Sequence, residues 1–182
     1  EGAGGSSPRV LPAVPSSPPP PPLKIPRVFH QTFKSWQTLS NKEVVLMRSW
    51  VELNPGWEIR YYVDADCNDF VRREFPELWE LYAGLPKNVE RADMFRYLVT
   101  LRHGGFYADA DVECLRPLDE WVDRDAEAYV GLENEFVSPT VAAFRSYPRT
   151  HQMLQWAFAF APGHPAVRAV VDRVALRAGT AG

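Results

Sequence analysis

Cysteine is scarce in this sequence: Cys67 and Cys114 are the only two in 182 residues. One bridge at most can form, so a disulfide-stapled fold is excluded, and the pair does not decide the redox compartment. No apolar run approaches the roughly 18 residues that a membrane-spanning helix needs. A signal-peptide pattern is missing too. The chain opens on Glu1 rather than Met, which leaves room for a leader or anchor upstream. Basic excess is also absent. A net charge of −3 gives no electrostatic argument for a nucleic-acid partner or an anionic membrane. What is present is a globular composition, 46% hydrophobic and 24% charged, in a length that suits one domain with a sizeable core. Six Trp and seven Tyr are many for this length. They suit stacking on sugars or bases, and equally an ordinary core.

Proline is plentiful but unevenly placed. Nine of the 17 lie between Glu1 and Pro26, including the run Pro18 to Pro22. Such a segment cannot bury enough apolar surface to fold and favours extended polyproline II. Residues 1–24 are therefore expected to be a disordered stem or linker, with an SH3-type ligand as the alternative, and residues 25–182 the globular domain.

Within that domain, Ile25 to Thr32 reads as a first strand ending in polar residues. Ser40 and Glu43 form the start signal of a helix, whose apolar positions Val44, Val45, Met47, Trp50 and Val51 stop at Asn54-Pro55-Gly56. Trp57 to Val63 alternates as a second strand. Asp64 or Asp66 caps a short helix through Phe70 and Val71, and another helical stretch around Pro76 to Tyr82 ends at Gly84. Asn88 is expected to cap a well-buried helix from Val89 to about His103, closed by Gly104. Asp93 and Arg96, three apart on that helix, share one face beside Tyr97. A surface ion pair and a functional pair are both open readings of them. Strands follow near Ala128 to Leu132 and Gln155 to Ala161. Glu133, Asn134 and Glu135 read as solvated loop residues or as residues facing an acceptor. Pro162-Gly163-His164-Pro165 is a turn into a last helix through Val174, with His164 a turn or capping residue and a catalytic role the alternative. Strands alternating with helices predict an α/β sheet.

The stretch that carries chemistry is Gly104-Gly105-Phe106-Tyr107-Ala108-Asp109-Ala110-Asp111. Phe106 to Ala108 suit a buried strand. In extended chain, side chains two apart share a face, so Asp109 and Asp111 present their carboxylates together. Their repulsion is relieved by a hard divalent cation, Mn²⁺ or Mg²⁺, which takes oxygen ligands and often shares them with substrate phosphates. The crevice outside the carboxyl ends of α/β strands is also where ligands bind. A solvated Asx turn is the competing reading. Val112-Glu113-Cys114-Leu115 does not supply the further ligands of a calcium loop, and Glu113 stands where an aspartyl-phosphate phosphatase would carry Thr or Val.

Three stretches together resemble the family 32 glycosyltransferases, which carry a DXD sugar-nucleotide-binding region. Ile25-Pro26-Arg27-Val28-Phe29-His30-Gln31-Thr32-Phe33 is similar to the family's first strand, with Phe33 in the usual Trp place. Asn54-Pro55-Gly56-Trp57 is similar to its N-P-x-aromatic turn. Arg91-Ala92-Asp93-Met94-Phe95-Arg96-Tyr97-Leu98 followed by Gly104 to Asp111 resembles its most specific signature. Gln155-Trp156 and Ala161 to Pro165 further resemble the branch containing the initiation-specific α-1,6-mannosyltransferase. The resemblance implies a GT-A fold (a Rossmann-like nucleotide-sugar-binding sheet flanked by helices), cut short at the C-terminus. It also implies a nucleotide-sugar donor, a glycan or glycolipid acceptor, Mn²⁺ (or Mg²⁺) and retention of configuration. Asp111 and Asp109 would hold the metal, with Asp109 also near the ribose or donor sugar. Asp93 and Arg96 would grip the donor sugar, and His30, Gln31 and Thr32 would border the nucleotide. GDP-mannose is the expected donor, with UDP-galactose or UDP-glucose as alternatives and a non-catalytic binding remnant or a Pro-rich interaction module as rivals. A Golgi-lumen location behind a type II anchor outside this chain completes the expectation, and membrane contact is expected through that anchor alone.

Overall fold

The computed structural model describes residues 9–11, 23–120, 122–147 and 149–179. Most of the expected stem, residues 1–8 and 12–22 with the proline run, lies outside the described residues. Inside it, Arg9–Leu11 forms a short strand, β1, where composition predicted no secondary structure.

The remaining elements are β2 (Val28–Thr32), α1 (Asn41–Leu53), β3 (Glu58–Tyr62), α2 (Asp64–Glu74), α3 (Trp79–Gly84), α4 (Asn88–His103), β4 (Gly105–Ala108), β5 (Ala128–Glu135), α5 (Pro139–Phe144), β6 (His151–Phe160) and α6 (Pro165–Gly179). They build one sheet in the order β1-β3-β2-β4-β6-β5. β2 runs parallel to both β3 and β4, while β6 is antiparallel to β4 and β5. From β2 the chain crosses through α1 to β3 on one side, then through α2, α3 and α4 to β4 on the other. The strand order therefore reverses at β2, and a crevice opens outside the carboxyl ends of β2 and β4.

Period-2 alternation sorts the strands between two cores. Phe29 and Phe106 pack with Trp50 and Met47 of α1 on one face. Tyr62, Tyr107 and Phe158 pack with Phe70 of α2 and Phe95, Leu98 and Val99 of α4 on the other. Cys67 belongs to the second core and Cys114 to the first, so the sheet separates them and both thiols are free. Among the described residues no helix is long and apolar enough to cross a membrane.

The expected helix start at Ser40 is present. Its backbone N–H donates to Glu43 Oε2 at 2.7 Å, and its hydroxyl accepts from the Glu43 N–H at 3.2 Å. At α2, the carboxylate of Asp66 reaches back to the Val63 N–H. Asn54 explains the N-P-x-W turn. Its amide donates to the carbonyl of Trp50 at the end of α1 and its oxygen accepts from the Leu118 N–H, tying the helix to the loop after the acid pair.

Two expectations need correction. Asn88 is the first residue of α4 and Lys87 its cap position, because the Asn88 side chain is drawn to Asp64 and Arg91 instead of the helix N–H groups. Glu133, Asn134 and Glu135 lie within β5, paired against His151 to Met153 of β6, and not in a loop. The β5–β6 arm is longer than its apolar pattern suggested, since its outer half leaves Leu132 and Met153 about half exposed.

Candidate active site

Two glycines set the strand that carries the acids. Gly104 has φ +64° and Gly105 φ +95°, both in the region that disfavours side chains. A Cβ on Gly105 would sit 2.3 Å from the Val28 carbonyl oxygen, and one on Gly104 would meet Pro162 and Pro26. This close approach seats β4 beside β2 and aims its carboxyl end at the crevice.

Beyond Ala108 the chain turns. The Asp109 N–H donates to the Trp156 carbonyl, and the Asp109 carbonyl accepts from Val112 N–H at 3.1 Å. The extended geometry expected through Asp111 is therefore replaced by a turn at Ala110–Asp111, because Ala110 is drawn into the core beneath. Asp109 and Asp111 nevertheless line one open cavity of about 450 Å³, with Glu113 and Trp156.

Arg96 organises the acids around it. It is nearly buried, and its Nη2 lies 2.7 Å from Asp93 Oδ1 and 3.4 Å from Asp109 Oδ1. Its Nη1 donates to the Gln155 carbonyl at 2.7 Å. The guanidinium also lies over the Tyr107 ring, whose hydroxyl donates to Asp109 Oδ1 at 2.8 Å. Burial pushes the Asp109 carboxyl above its ordinary pKa, against the lowering influence of Arg96 and Tyr107 and with that of Asp111 and Asp93. Asp93 and Arg96 are thus a bridge to the acid pair, not an isolated surface pair. Arg96 Nε is buried without a partner among the described residues.

The fit to a cation follows from the donors. Both side-chain contacts of Asp109, from Tyr107 and Arg96, fall on Oδ1, leaving Oδ2 without a hydrogen bond or ion pair among the described residues. Asp111 is exposed at the same cavity. Two carboxylates suit Mg²⁺ or Mn²⁺, which is commonly held by one or two of them plus substrate phosphates. No group of three or more potential ligands gathers among the described residues.

His30, Gln31 and Thr32 separate in role. His30 is fully buried, with Nδ1 3.1 Å from the Tyr62 hydroxyl and Nε2 2.9 Å from the Gly104 carbonyl. It lines neither the cavity at Asp109 nor the cleft at Thr32, and its ring stacks on that of half-buried His103. Gln31, also fully buried, donates from Nε2 to the Asp109 carbonyl at 3.0 Å and braces the turn bearing the acids. Of the three, Thr32 reaches open space. It lines a cleft of about 90 Å³ with Asp64, Asn68, Asn88, Arg91 and Ala92. Asn88 donates to Asp64 Oδ2 and accepts from Arg91, whose Nη1 donates to the Leu85 carbonyl at 2.7 Å. Sequence reasoning missed this polar set. The signal was Asn88 and Arg91, three apart in the first turn of α4 just before Asp93, at the sheet end where β2 stops. His164 caps α6 by accepting from the Ala166 N–H.

The burial of His30 has a measurable consequence. Desolvation lowers its pKa from 6.5 to about 3. The folded state therefore binds fewer protons than the unfolded state between those values, so stability falls as pH drops from 6.5 toward 3. Urea midpoints measured over this range should decline steadily in the wild-type chain. In His30→Gln the decline should be shallower, and an unchanged slope would contradict the assignment.

Residues 29–127 match the family described as glycosyltransferase sugar-binding region containing DXD motif. Inositol phosphoceramide mannosyltransferase 3 of Schizosaccharomyces pombe is 34% identical over 116 residues, covering 60% of this chain and 32% of that protein. The initiation-specific alpha-1,6-mannosyltransferase of the same yeast is 30% identical over 160 residues, covering 82% of this chain and 39% of that protein. The chain thus spans roughly a third to two fifths of the length of these relatives. Among solved structures, the PaToxG glycosyltransferase superposes with a TM-score of 0.61 over 84% of this chain and 61% of that one, at 16% identity. That likeness is one of fold, and the architecture is the expected GT-A type.

Proposed function

The chain belongs to the family of glycosyltransferases with a DXD-containing sugar-binding region, and on that premise we propose that it transfers mannose from GDP-mannose to a glycan or glycolipid acceptor, with metal dependence and retention of configuration. One observation carries the reading. Arg96 binds Asp93 and Asp109 at once, in the crevice where β2 and β4 end. A donor seated there meets sugar-binding acids and diphosphate-binding acids on either side of one cation.

In this reading Asp93 and Arg96 hold the donor sugar hydroxyls, and Thr32 with the Asp64–Asn88–Arg91 cleft receives the nucleoside. Asp111 and Asp109 would hold Mn²⁺ or Mg²⁺, which supplies Lewis-acid stabilisation of the departing diphosphate. Gln31 and Tyr107 fix Asp109 by its carbonyl and its carboxylate. The acceptor hydroxyl oxygen bonds to the anomeric carbon as the bond from that carbon to the diphosphate oxygen breaks. The departing phosphate takes the acceptor proton, so no side-chain nucleophile is required. The mannosyltransferase names of the relatives support GDP-mannose over a UDP-hexose. With that reading goes a secretory-pathway location, in the Golgi lumen.

The test is a donor panel. GDP-mannose, UDP-glucose and UDP-galactose are assayed for hydrolysis with Mn²⁺ or Mg²⁺, on this chain and on a longer form. GDP-mannose should turn over fastest, because a site that hydrogen-bonds one epimeric hydroxyl rejects the sugar lacking it. Faster UDP-hexose turnover would overturn the donor. Donor binding without turnover in both forms would make the domain a binding remnant.

A further inference from the structure

Resting on the nucleotide-sugar reading above, we infer that the cleft at Thr32 selects the base of the donor, with Asp64 and Tyr82 reading the edge of guanine. The cleft measures about 90 Å³. That space admits the edge of a flat base and leaves the ribose and diphosphate outside. It opens where two parallel strands end, since Thr32 closes β2 and Asp64 begins α2 just past β3. Ala92, in its wall, adjoins Asp93 in the chain, so a nucleotide held here by its base lies beside the Asp93–Arg96 pair.

Several polar groups of the cleft are already engaged. The Thr32 hydroxyl lies 3.3 Å from Cys67 Sγ, and Asn88 accepts from Arg91. Three groups keep capacity. Asp64 takes one long hydrogen bond on Oδ2, from Asn88 Nδ2 at 3.3 Å, and its Oδ1 has no hydrogen bond or ion pair among the described residues. Asn68, one turn further along the same face of α2, has no side-chain partner among them. Tyr82 is only 1% exposed, yet its hydroxyl also makes no hydrogen bond among the described residues. A phenol buried without a partner costs stability, which a ligand accepting from it would return. Burial raises its pKa well above the ordinary value, so it stays protonated and donates.

The unsatisfied set is thus a charged acceptor beside a neutral donor. Guanine presents the complement: two adjacent donors, N1–H and the 2-amino group, next to the O6 acceptor. The Asp64 carboxylate accepts from both donors, and the Tyr82 hydroxyl donates to O6. Uracil presents a single N–H between two carbonyl oxygens, so an oxygen lone pair would face the carboxylate. A site left with unmet or repelling polar groups rejects the wrong ligand strongly. A carboxylate also suits ribose hydroxyls, but a cleft of this size suits a flat edge better than a puckered ring.

Calorimetric titration of GDP, inosine diphosphate and UDP, each with Mn²⁺, tests the assignment. Inosine diphosphate lacks only the 2-amino group of guanine. The wild-type chain should bind GDP about tenfold more tightly than inosine diphosphate, the effect of one hydrogen bond to a charged group. UDP should bind more weakly still. In Asp64→Ala the ratio of GDP to inosine diphosphate affinity should fall to about one. Tyr82→Phe should weaken both purine nucleotides alike and keep their ratio, since both carry O6. That variant removes only an unpartnered hydroxyl from a packed ring, so it folds as the wild type does even where Asp64→Ala loosens the start of α2. Equal wild-type affinity for GDP and inosine diphosphate would overturn the proposal. So would an Asp64→Ala loss shared equally by all three nucleotides, which is what a ribose contact gives. Equal, metal-dependent binding of the three would leave the transferase reading standing without base selection, and no binding of any would remove both. Base-selective binding without donor turnover would remove the transferase reading and leave a guanine-nucleotide site.

Discussion

Asp111→Asn is expected to abolish Mn²⁺-dependent donor binding while leaving the fold as stable as the wild type. Asp111 is exposed in the turn after β4 and engages no protein partner in a hydrogen bond or ion pair among the described residues, so its carboxylate has no structural task there. An amide in its place removes one anionic oxygen from a site with only two candidate carboxylates. It also relieves the repulsion that helps raise the Asp109 carboxyl. Stability should accordingly move by no more than about 0.5 kcal/mol, the usual range for a surface substitution. Calorimetric titration of Mn²⁺ with GDP, beside a thermal melt, reads both quantities. An unchanged metal-dependent titration would remove Asp111 from the site.

Arg96→Ala should produce the largest combined effect. The guanidinium is the one cation bonded to both Asp93 and Asp109 among the described residues, and it also holds the Gln155 carbonyl. Removing one partner from a largely buried ion pair costs about 3–5 kcal/mol, here lessened because Asp93 is about half exposed. Donor-sugar recognition should fail, while the bare nucleoside diphosphate still binds through the acid pair and the Thr32 cleft. If both ligands weaken equally, the Asp93–Arg96 pair positions the site and does not grip the sugar.

The variant also carries a pH signature. Without Arg96, Asp109 loses the strongest influence holding its pKa down, so its carboxyl climbs further above the ordinary value. Cation binding needs the ionised form. Metal-dependent nucleotide binding should therefore fall away at a higher pH in Arg96→Ala than in the wild type. Stability moves in the opposite sense. The folded state holds the Asp109 proton more tightly than the unfolded state does, so acidification through the raised pKa should return part of the lost stability. Arg96→Lys keeps the charge without the fork, and should restore the pH profile more fully than the sugar preference.

Much of this was legible in the chain because it depends on local rules. The Ser40–Glu43 box, the α4 periodicity, the Gly104–Gly105 pair and the apolar strand before the acids each follow from neighbouring residues, and each appears where expected. Family membership rests on the same stretches. The sheet order, the reversal at β2 and the crevice location required pairings between residues far apart in sequence. Periodicity does not encode those pairings.

The site residues divide in the same way. Asp109 and Asp111 stood out from their place after an apolar strand, while spacing alone left Asp93 and Arg96 open between a surface pair and a functional one, and only the family resemblance singled them out. That His30 lies in the core while Thr32 meets open space was decided by what packs over β2, namely Tyr62 of β3 and His103 with Gly104 at the end of α4. The turn at Ala110 was decided by a core pocket for one methyl group. The cavity of about 690 Å³ between α6 and the β5–β6 arm was least legible of all. Its residues come from α4, β5, β6, α6 and the turn before β6, and only their convergence gives a shape to that surface. Sequence alone determined the elements and the placing of two acids just after β4, because both are set within a few residues. Tertiary structure decided which polar side chains meet solvent, because burial depends on the segments laid over them.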